Sequence, residues 1–92
     1  MARTTKTIAD KQLKRLLKNL AHNVRGLREK EELTLLSLAA KSHLAISTVL
    51  EIEKEKVTQV ELGTITSLAR GLGIDDPLKL LEGPDAQREK RS

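Results

Sequence analysis

Positive charge is concentrated at the start of this chain. Residues 1–30 contain nine Lys or Arg and only two acids, whereas residues 31–92 contain eight Lys or Arg and eleven acids. Clustered cations attract the phosphates of nucleic acids. We therefore expect residues 1–9 to form a flexible basic arm, in which Arg3 and Lys6 contact phosphates. Lys11, Lys14, Arg15 and Lys18 could continue that contact, or could form only a solvated helix face.

A second set of residues suited to recognition lies between 46 and 51, in the sequence Ile-Ser-Thr-Val-Leu-Glu. The hydroxyls of Ser47 and Thr48 can donate or accept hydrogen bonds, and the carboxylate of Glu51 can accept one from a cytosine amino group. Ile46 and Leu50 can contact thymine methyl groups. This mixture of side chains could read the edges of base pairs.

Other functions are disfavoured by residue types that the chain lacks. It has no Cys, so a thiolate metal site and a disulfide are both excluded, and it has no aromatic residue on which single-stranded bases could stack. It also has no Gly-rich phosphate loop and no HExxH sequence. We expect no enzyme, no metal and no cofactor. No apolar run is long enough for a membrane span or a signal peptide, so we expect a cytoplasmic protein, encoded by a bacterium or a phage.

The spacing of apolar residues predicts an all-α fold of five helices. The first would begin at Asp10 and bury a stripe of leucines and a valine through Leu27. We expect the next three at about 34–41, 46–54 and 61–71. Asp76-Pro77 is a helix start, with Asp as the cap and Pro in the first position, and a fifth helix would run to Glu82. The domain would span residues 10–83, followed by a disordered charged tail, 84–92.

Residues 34–54 have the pattern of a helix-turn-helix, which consists of two short helices joined by a turn of three or four residues. Small Ala39 would let the two helices approach, and Leu44 would fill the turn. Val49 and Ile52 would anchor the second helix in the core. Its opposite face would then be free to enter a major groove.

These residues resemble the Cro/phage-repressor-like family of helix-turn-helix proteins, also called the XRE family. The resemblance runs from about Leu20 to Leu81. The matching pieces, in chain order, are Val24-Arg25-x-Leu27-Arg28, Leu38-Ala39, Val49-x-x-Ile52-Glu53 and Leu68-Ala69-x-x-Leu72-Gly73-Ile74.

The resemblance implies a lambda-repressor-like bundle of five helices that binds duplex DNA as a homodimer on a near-palindromic operator. It implies a structural ion pair between Arg28 and Glu53. Base contacts would be made by Ile46, Ser47, Thr48, Leu50 and Glu51. Phosphate contacts would be made by Thr34, Leu35, Lys54, Lys56 and Thr58. A chain this short is then expected to be a transcriptional regulator of the repressor type.

The sequence departs from the family pattern in ways that keep a second function open. Leu35 replaces a polar residue, His43 replaces a turn glycine, and residues 42–56 carry a net charge of −1. An exposed apolar patch of Leu35, Leu36, Ile46 and Leu50 could instead bind a protein partner, as in an antitoxin or a co-regulator.

Two apolar clusters are candidates for the dimer interface. The first cluster lies early in the first predicted helix and the second lies near the end of the domain, where the family often has its interface. Their members are Leu13, Leu16 and Leu17, and Leu78, Leu80 and Leu81.

Overall fold

The computed structural model describes residues 2–83, with side chains from Asp10 onward. This part of the chain is all-helical and contains four α-helices and one short 3-10 helix. The four α-helices are α1 (Ala2–Lys30), α2 (Leu35–Ser42), α3 (Ile46–Glu53) and α4 (Leu62–Gly71), and the 3-10 helix is Pro77–Leu81. The predicted tail, 84–92, lies outside the described residues.

Helix α1 is longer than the rest of the domain requires. It has 29 residues, which corresponds to about 43 Å at 1.5 Å per residue. Its second half is buried through Leu20, Ala21 and Val24, whereas Leu13 and Leu16 keep 40% and 42% of their surface exposed. The helix begins at Ala2 rather than at Asp10, so the backbone of residues 2–9 belongs to α1. The side chains of Arg3 and Lys6 lie outside the described residues.

A single aliphatic core holds the helices together. Every element contributes to it, and its members are Leu20, Val24, Leu38, Ala39, Val49, Ile52, Ile65, Leu68, Ala69, Leu72 and Leu80. Because Leu, Ile, Val and Ala fill this core, the fold needs no aromatic side chain.

The four α-helices end in the same way. A residue with positive φ follows each helix: Glu32 (58°), His43 (56°), Glu55 (57°) and Gly73 (73°). In each case the next backbone N–H donates to a carbonyl five residues earlier, as Leu44 does to Ala39 at 2.9 Å. This is the Schellman arrangement, which usually has glycine in the left-handed position. Three of the four positions are therefore occupied by residues that adopt this conformation only at some cost.

The fifth predicted helix is a 3-10 helix, which corrects the expectation of five α-helices. Asp76 caps its start by accepting from the N–H of Leu78 at 3.0 Å, as the Asp-Pro pair predicts. The bond from the N–H of Lys79 to the carbonyl of Asp76, three residues back, makes the turn tight. With five residues, the segment is too short to gain much from α-helical bonding.

Among the described residues, no single helix has the length and apolar character needed to cross a membrane, and only the sharply bent pair α2 and α3 meets both criteria when taken together.

Candidate nucleic-acid interface

Helices α2 and α3 form a helix-turn-helix. A turn of three residues, His43 to Ala45, joins them, and their axes differ in direction by 117°. Angles of about 90–120° with a turn of this length define the motif. His43 makes the turn by adopting the left-handed conformation, and Leu44 packs against the core beneath it. The turn thus forms without the glycine that the family pattern has.

The start of α2 is closed by a pair of hydroxyls. Thr34 Oγ1 accepts from the backbone N–H of Ser37 at 3.0 Å and donates to Ser37 Oγ at 3.0 Å. This arrangement satisfies one of the unpaired amides of the first turn. It leaves the Ser37 hydroxyl proton able to donate outward, so Ser37 joins Thr34 as a polar group at this helix start. Ser37 was not expected from the sequence, because the recognisable capping pattern has Glu or Gln, not Ser, three residues after the capping Thr.

Helix α3 has one face in the core and the other in solvent. Val49 and Ile52 are buried, at 0% and 2% exposed. Ser47 and Glu51 are exposed and lie one helical turn apart, so they form a polar pair. Ile46 is 46% exposed and Leu50 is half-buried, so these two form an apolar pair beside the polar one. Thr48, the remaining residue predicted to contact bases, is also half-buried.

The first turn of α3 lacks a side-chain cap, because its cap residue is Ala45. With its side chains, an α-helix is about 10–12 Å across, which is close to the width of about 12 Å of a B-DNA major groove. A short helix with an uncapped N-terminus and a free polar face is geometrically able to enter that groove.

The loop that follows α3 carries the other predicted phosphate contacts. Lys54, Lys56 and Thr58 are all exposed, and Val57 between them packs against the core. Glu55 is also exposed, in the left-handed position that ends α3. Since Val57 fixes the middle of the loop, the two lysines and the threonine extend from an anchored backbone.

Arg28 and Glu53, which the family resemblance pairs, form a bidentate ion pair that links α1 to the end of α3. Arg28 Nε donates to Glu53 Oε2 at 2.7 Å, and Nη2 donates to Glu53 Oε1 at 3.1 Å. Nη1 donates to the carbonyl of Leu33 at 2.9 Å. The two side chains are only 15% and 6% exposed. Their hydrogen bonds raise the pKa of Arg28 above its ordinary value, so the guanidinium remains charged throughout the neutral range.

This ion pair changes the charge that the interface presents. Residues 42–56 carry three acids and two lysines. Because Glu53 is neutralised by Arg28, the exposed charges of the segment are Glu51 and Glu55 against Lys54 and Lys56. The surface is therefore neutral rather than negative, so it repels a polyanion less than the sequence alone suggests.

Two predicted roles are affected by burial. Leu80 is 0% exposed in the core of its own chain, so it has no surface to offer a second subunit and its assignment to a dimer interface was wrong. Leu81 also packs partly against that core, whereas Leu78 is 63% exposed. Leu35 packs against the core as well, so only its backbone amide can reach a phosphate, and the proposed apolar patch is reduced to Leu36, Ile46 and the half-buried Leu50.

Two asparagines on α1 form a clamp that the sequence analysis missed. Asn23 Nδ2 donates to the carbonyls of Leu80 and Glu82, at 2.8 Å in both cases. Asn19 Nδ2 donates to the carbonyl of Leu81 at 3.0 Å. These bonds hold the last segment of the domain on α1. Their spacing of one helical turn was visible in the sequence, but their acceptors are backbone atoms about sixty residues away.

Comparison with known proteins supports a transcription-factor-like fold. No protein-family model matches the sequence, and no curated protein matches it. A solved structure described as a hypothetical transcription factor from Neisseria does match, with a TM-score of 0.75 and 25% sequence identity. The match covers 82% of this chain and 84% of that one, so it includes most of the helical domain.

Proposed function

We propose that this protein is a DNA-binding transcriptional regulator of the Cro/phage-repressor-like type, with α3 placed in the major groove. The observation that carries the proposal is the free outer face of α3, since its inner face is fully buried and its axis is set by the turn at His43. Ser47 and Glu51 would read polar groups of bases, with Thr48 at the edge of the contact, and Ile46 and Leu50 would contact thymine methyls.

Phosphate contacts on both sides of α3 would fix its position in the groove. One set lies at the start of α2, where Thr34, Ser37 and the amide of Leu35 are grouped. The other lies in the loop with Lys54, Lys56 and Thr58. Such contacts orient a protein on the duplex without reading sequence. The Arg28–Glu53 pair supports this arrangement by linking the end of α3 to α1.

We propose that the protein acts as a homodimer. Two copies would present their α3 helices to successive major grooves, about 34 Å apart, on a two-fold symmetric site. Leu78 is the most exposed residue of the predicted interface near the end of the domain, and Leu13 and Leu16 are the exposed pair on α1. Sedimentation of Leu78→Ser and Leu16→Ser tests the two surfaces separately, with Leu62→Ser as a control at another exposed leucine.

Repression is the regulatory outcome that we propose. A dimer covering one operator obstructs other proteins on the same duplex, and this effect needs no additional surface. A reporter gene with the selected operator placed over its promoter should therefore lose expression when the protein is present.

Selection of binding sites from random duplex DNA, followed by a salt titration on the selected site, tests the proposal. We expect a two-fold symmetric site and a binding constant that falls steeply with salt, by about 0.9 log–log units for each phosphate contact. Weak binding without sequence preference would contradict it.

A second function, binding to a protein partner, is favoured by the exposure of Leu36 at 66% and Ile46 at 46% on adjoining helices. The double variant Ile46→Ala and Leu50→Ala distinguishes the two functions. Loss of DNA binding supports base reading by α3, whereas intact DNA binding would assign this surface to a protein.

A further inference from the structure

We infer that the N-terminal half of α1 forms a second phosphate-binding strip, next to the loop that follows α3. This inference rests on the proposed function. It explains why most of the positive charge of the chain lies outside the helix-turn-helix itself.

The structure places the lysines of both segments around one groove of about 670 Å³. Lys11, Lys14 and Lys18 line it from α1, and Lys56 and Thr58 line it from the loop. The three α1 lysines follow each other at spacings of three and four residues, so they share one helix face. The strip is therefore continuous with the phosphate contacts already proposed for the loop.

The apolar part of the groove lining explains how lysines can form such a strip on α1. Leu13, Leu17 and Val57 line the groove together with the lysines. Lysine stems can lie along apolar surface while their ammonium groups stay in water. Leu13, Leu17 and Val57 thus give the groove an apolar surface along which lysine stems can lie with their ammonium groups in water.

The charge of the groove favours a polyanion over a second copy of this chain. Four lysines line it against two acids, Asp10 and Glu55, which leaves a net charge of +2. A second copy would bring the same excess of positive charge to the contact, and like charges in proximity repel. A DNA strand complements the charge and also matches the length. Lys11 to Lys18 spans about 10 Å, and one strand offers a phosphate about every 3.4 Å along the axis.

The test compares two triple variants that each remove three positive charges. The first is Lys11→Gln, Lys14→Gln and Lys18→Gln. The matched control is Lys30→Gln, Lys41→Gln and Arg70→Gln, whose side chains are exposed and lie outside the groove. Fluorescence anisotropy against KCl concentration would be measured on a random-sequence duplex and on the selected operator. Thermal unfolding would confirm that both variants are folded.

We expect the groove variant to lower the log–log salt slope by about 2.7 units per subunit, since each lost contact removes about 0.9. The control should change it by less than about one unit. Because phosphates carry no sequence information, the groove variant should weaken both duplexes by a similar factor.

Four results would overturn the inference. Equal salt slopes for the two triple variants would mean that only net charge matters. Unchanged DNA binding with a lower sedimentation mass for the groove variant would make the groove a dimer contact. If the wild-type protein bound no duplex DNA at all, the proposed function would fail first. Normal operator binding by the groove variant would reject the strip and leave the proposed function intact.

Discussion

The Arg28–Glu53 pair should be strongly coupled in stability, although it need not add net stability. Both side chains are nearly buried, and each is the other's main hydrogen-bond partner across two helices. Removing one partner from a buried pair leaves an uncompensated charge, whereas replacing both by apolar residues of similar volume is often close to neutral. The informative perturbation is therefore a double-mutant cycle of Arg28→Met and Glu53→Leu.

The structure sets the expected magnitudes. Arg28→Met leaves the Glu53 carboxylate, 6% exposed, without either of its two donors, at a cost of about 3–5 kcal/mol. In Glu53→Leu, the guanidinium keeps its bond to the carbonyl of Leu33, so we expect the lower end, about 3 kcal/mol. The double variant should lie within about 1 kcal/mol of the wild type. For a domain of this size, 3 kcal/mol lowers the melting temperature by about 12–24 °C.

Urea unfolding followed by circular dichroism would measure the three variants and the wild type. Arg25→Met provides a matched control, because Arg25 pairs with Glu29 at 3.5 Å with both side chains more than half exposed. It should cost no more than about 1 kcal/mol. If the double variant lost as much stability as the two single variants combined, Arg28 and Glu53 would not be coupled, contrary to this prediction.

Four further predictions concern the helix ends and the Asn clamp. Asn23→Ala should destabilise the domain by about 2 kcal/mol, because two partly buried carbonyls lose their donor; urea unfolding measures this, with Asn23→Gln as the conservative comparison. Ser42→Ala should stabilise it by about 1 kcal/mol, because Ser42 Oγ is buried and has no hydrogen-bond partner in the described part of the chain. Gly71→Ala should destabilise it, because the new methyl would overlap Ser42 Oγ, and calorimetry should show a smaller effect in the Ser42→Ala background. Glu32→Gly and His43→Gly should each raise stability by up to about 1 kcal/mol in thermal melts, because both residues have positive φ.

Each of these has a clear opposite result. An Asn23→Ala protein as stable as the wild type would show that the last segment does not depend on the clamp. Additive effects of Ser42→Ala and Gly71→Ala would deny the contact between them. A destabilised His43→Gly protein would mean that the imidazole makes a contribution larger than the cost of its backbone conformation.

Most of the fold could be predicted from the helical pattern of apolar residues in the sequence. Val49 and Ile52 were expected in the core and are buried there, and Asp76 was expected to cap the last helix and does so. These predictions succeeded because they depend on local spacing and on capping chemistry. The end of the domain was harder to predict, because the local sequence does not distinguish buried Leu80 from Leu78, which is 63% exposed. Only the packing of α1 and α4 around Leu80 shows that it is buried within its own chain.

Less of the candidate site than of the fold could be predicted from the sequence. The outer face of α3 followed from helical periodicity, but the charge of the surface did not. Two long-range facts alter that charge: Glu53 is neutralised by Arg28, and Lys11, Lys14 and Lys18 share a groove with Lys56. The three lysines of α1 lie 38 to 45 positions before Lys56 and become its neighbours only through the path of the chain, and no local pattern indicates this.

The placement of α3 in the major groove can be tested by repeating the selection from random DNA with Glu51→Ala, a substitution at an exposed position of α3. If α3 reads bases, the selected site should lose its preference at one pair of symmetry-related positions, and the rest of the site should be unchanged. At each of these positions, the preference for the correct base pair over a wrong one should fall by about 1–3 kcal/mol. A site identical to that of the wild type would contradict base reading by Glu51, and the same result for Ser47→Ala would contradict the placement of α3 in the major groove.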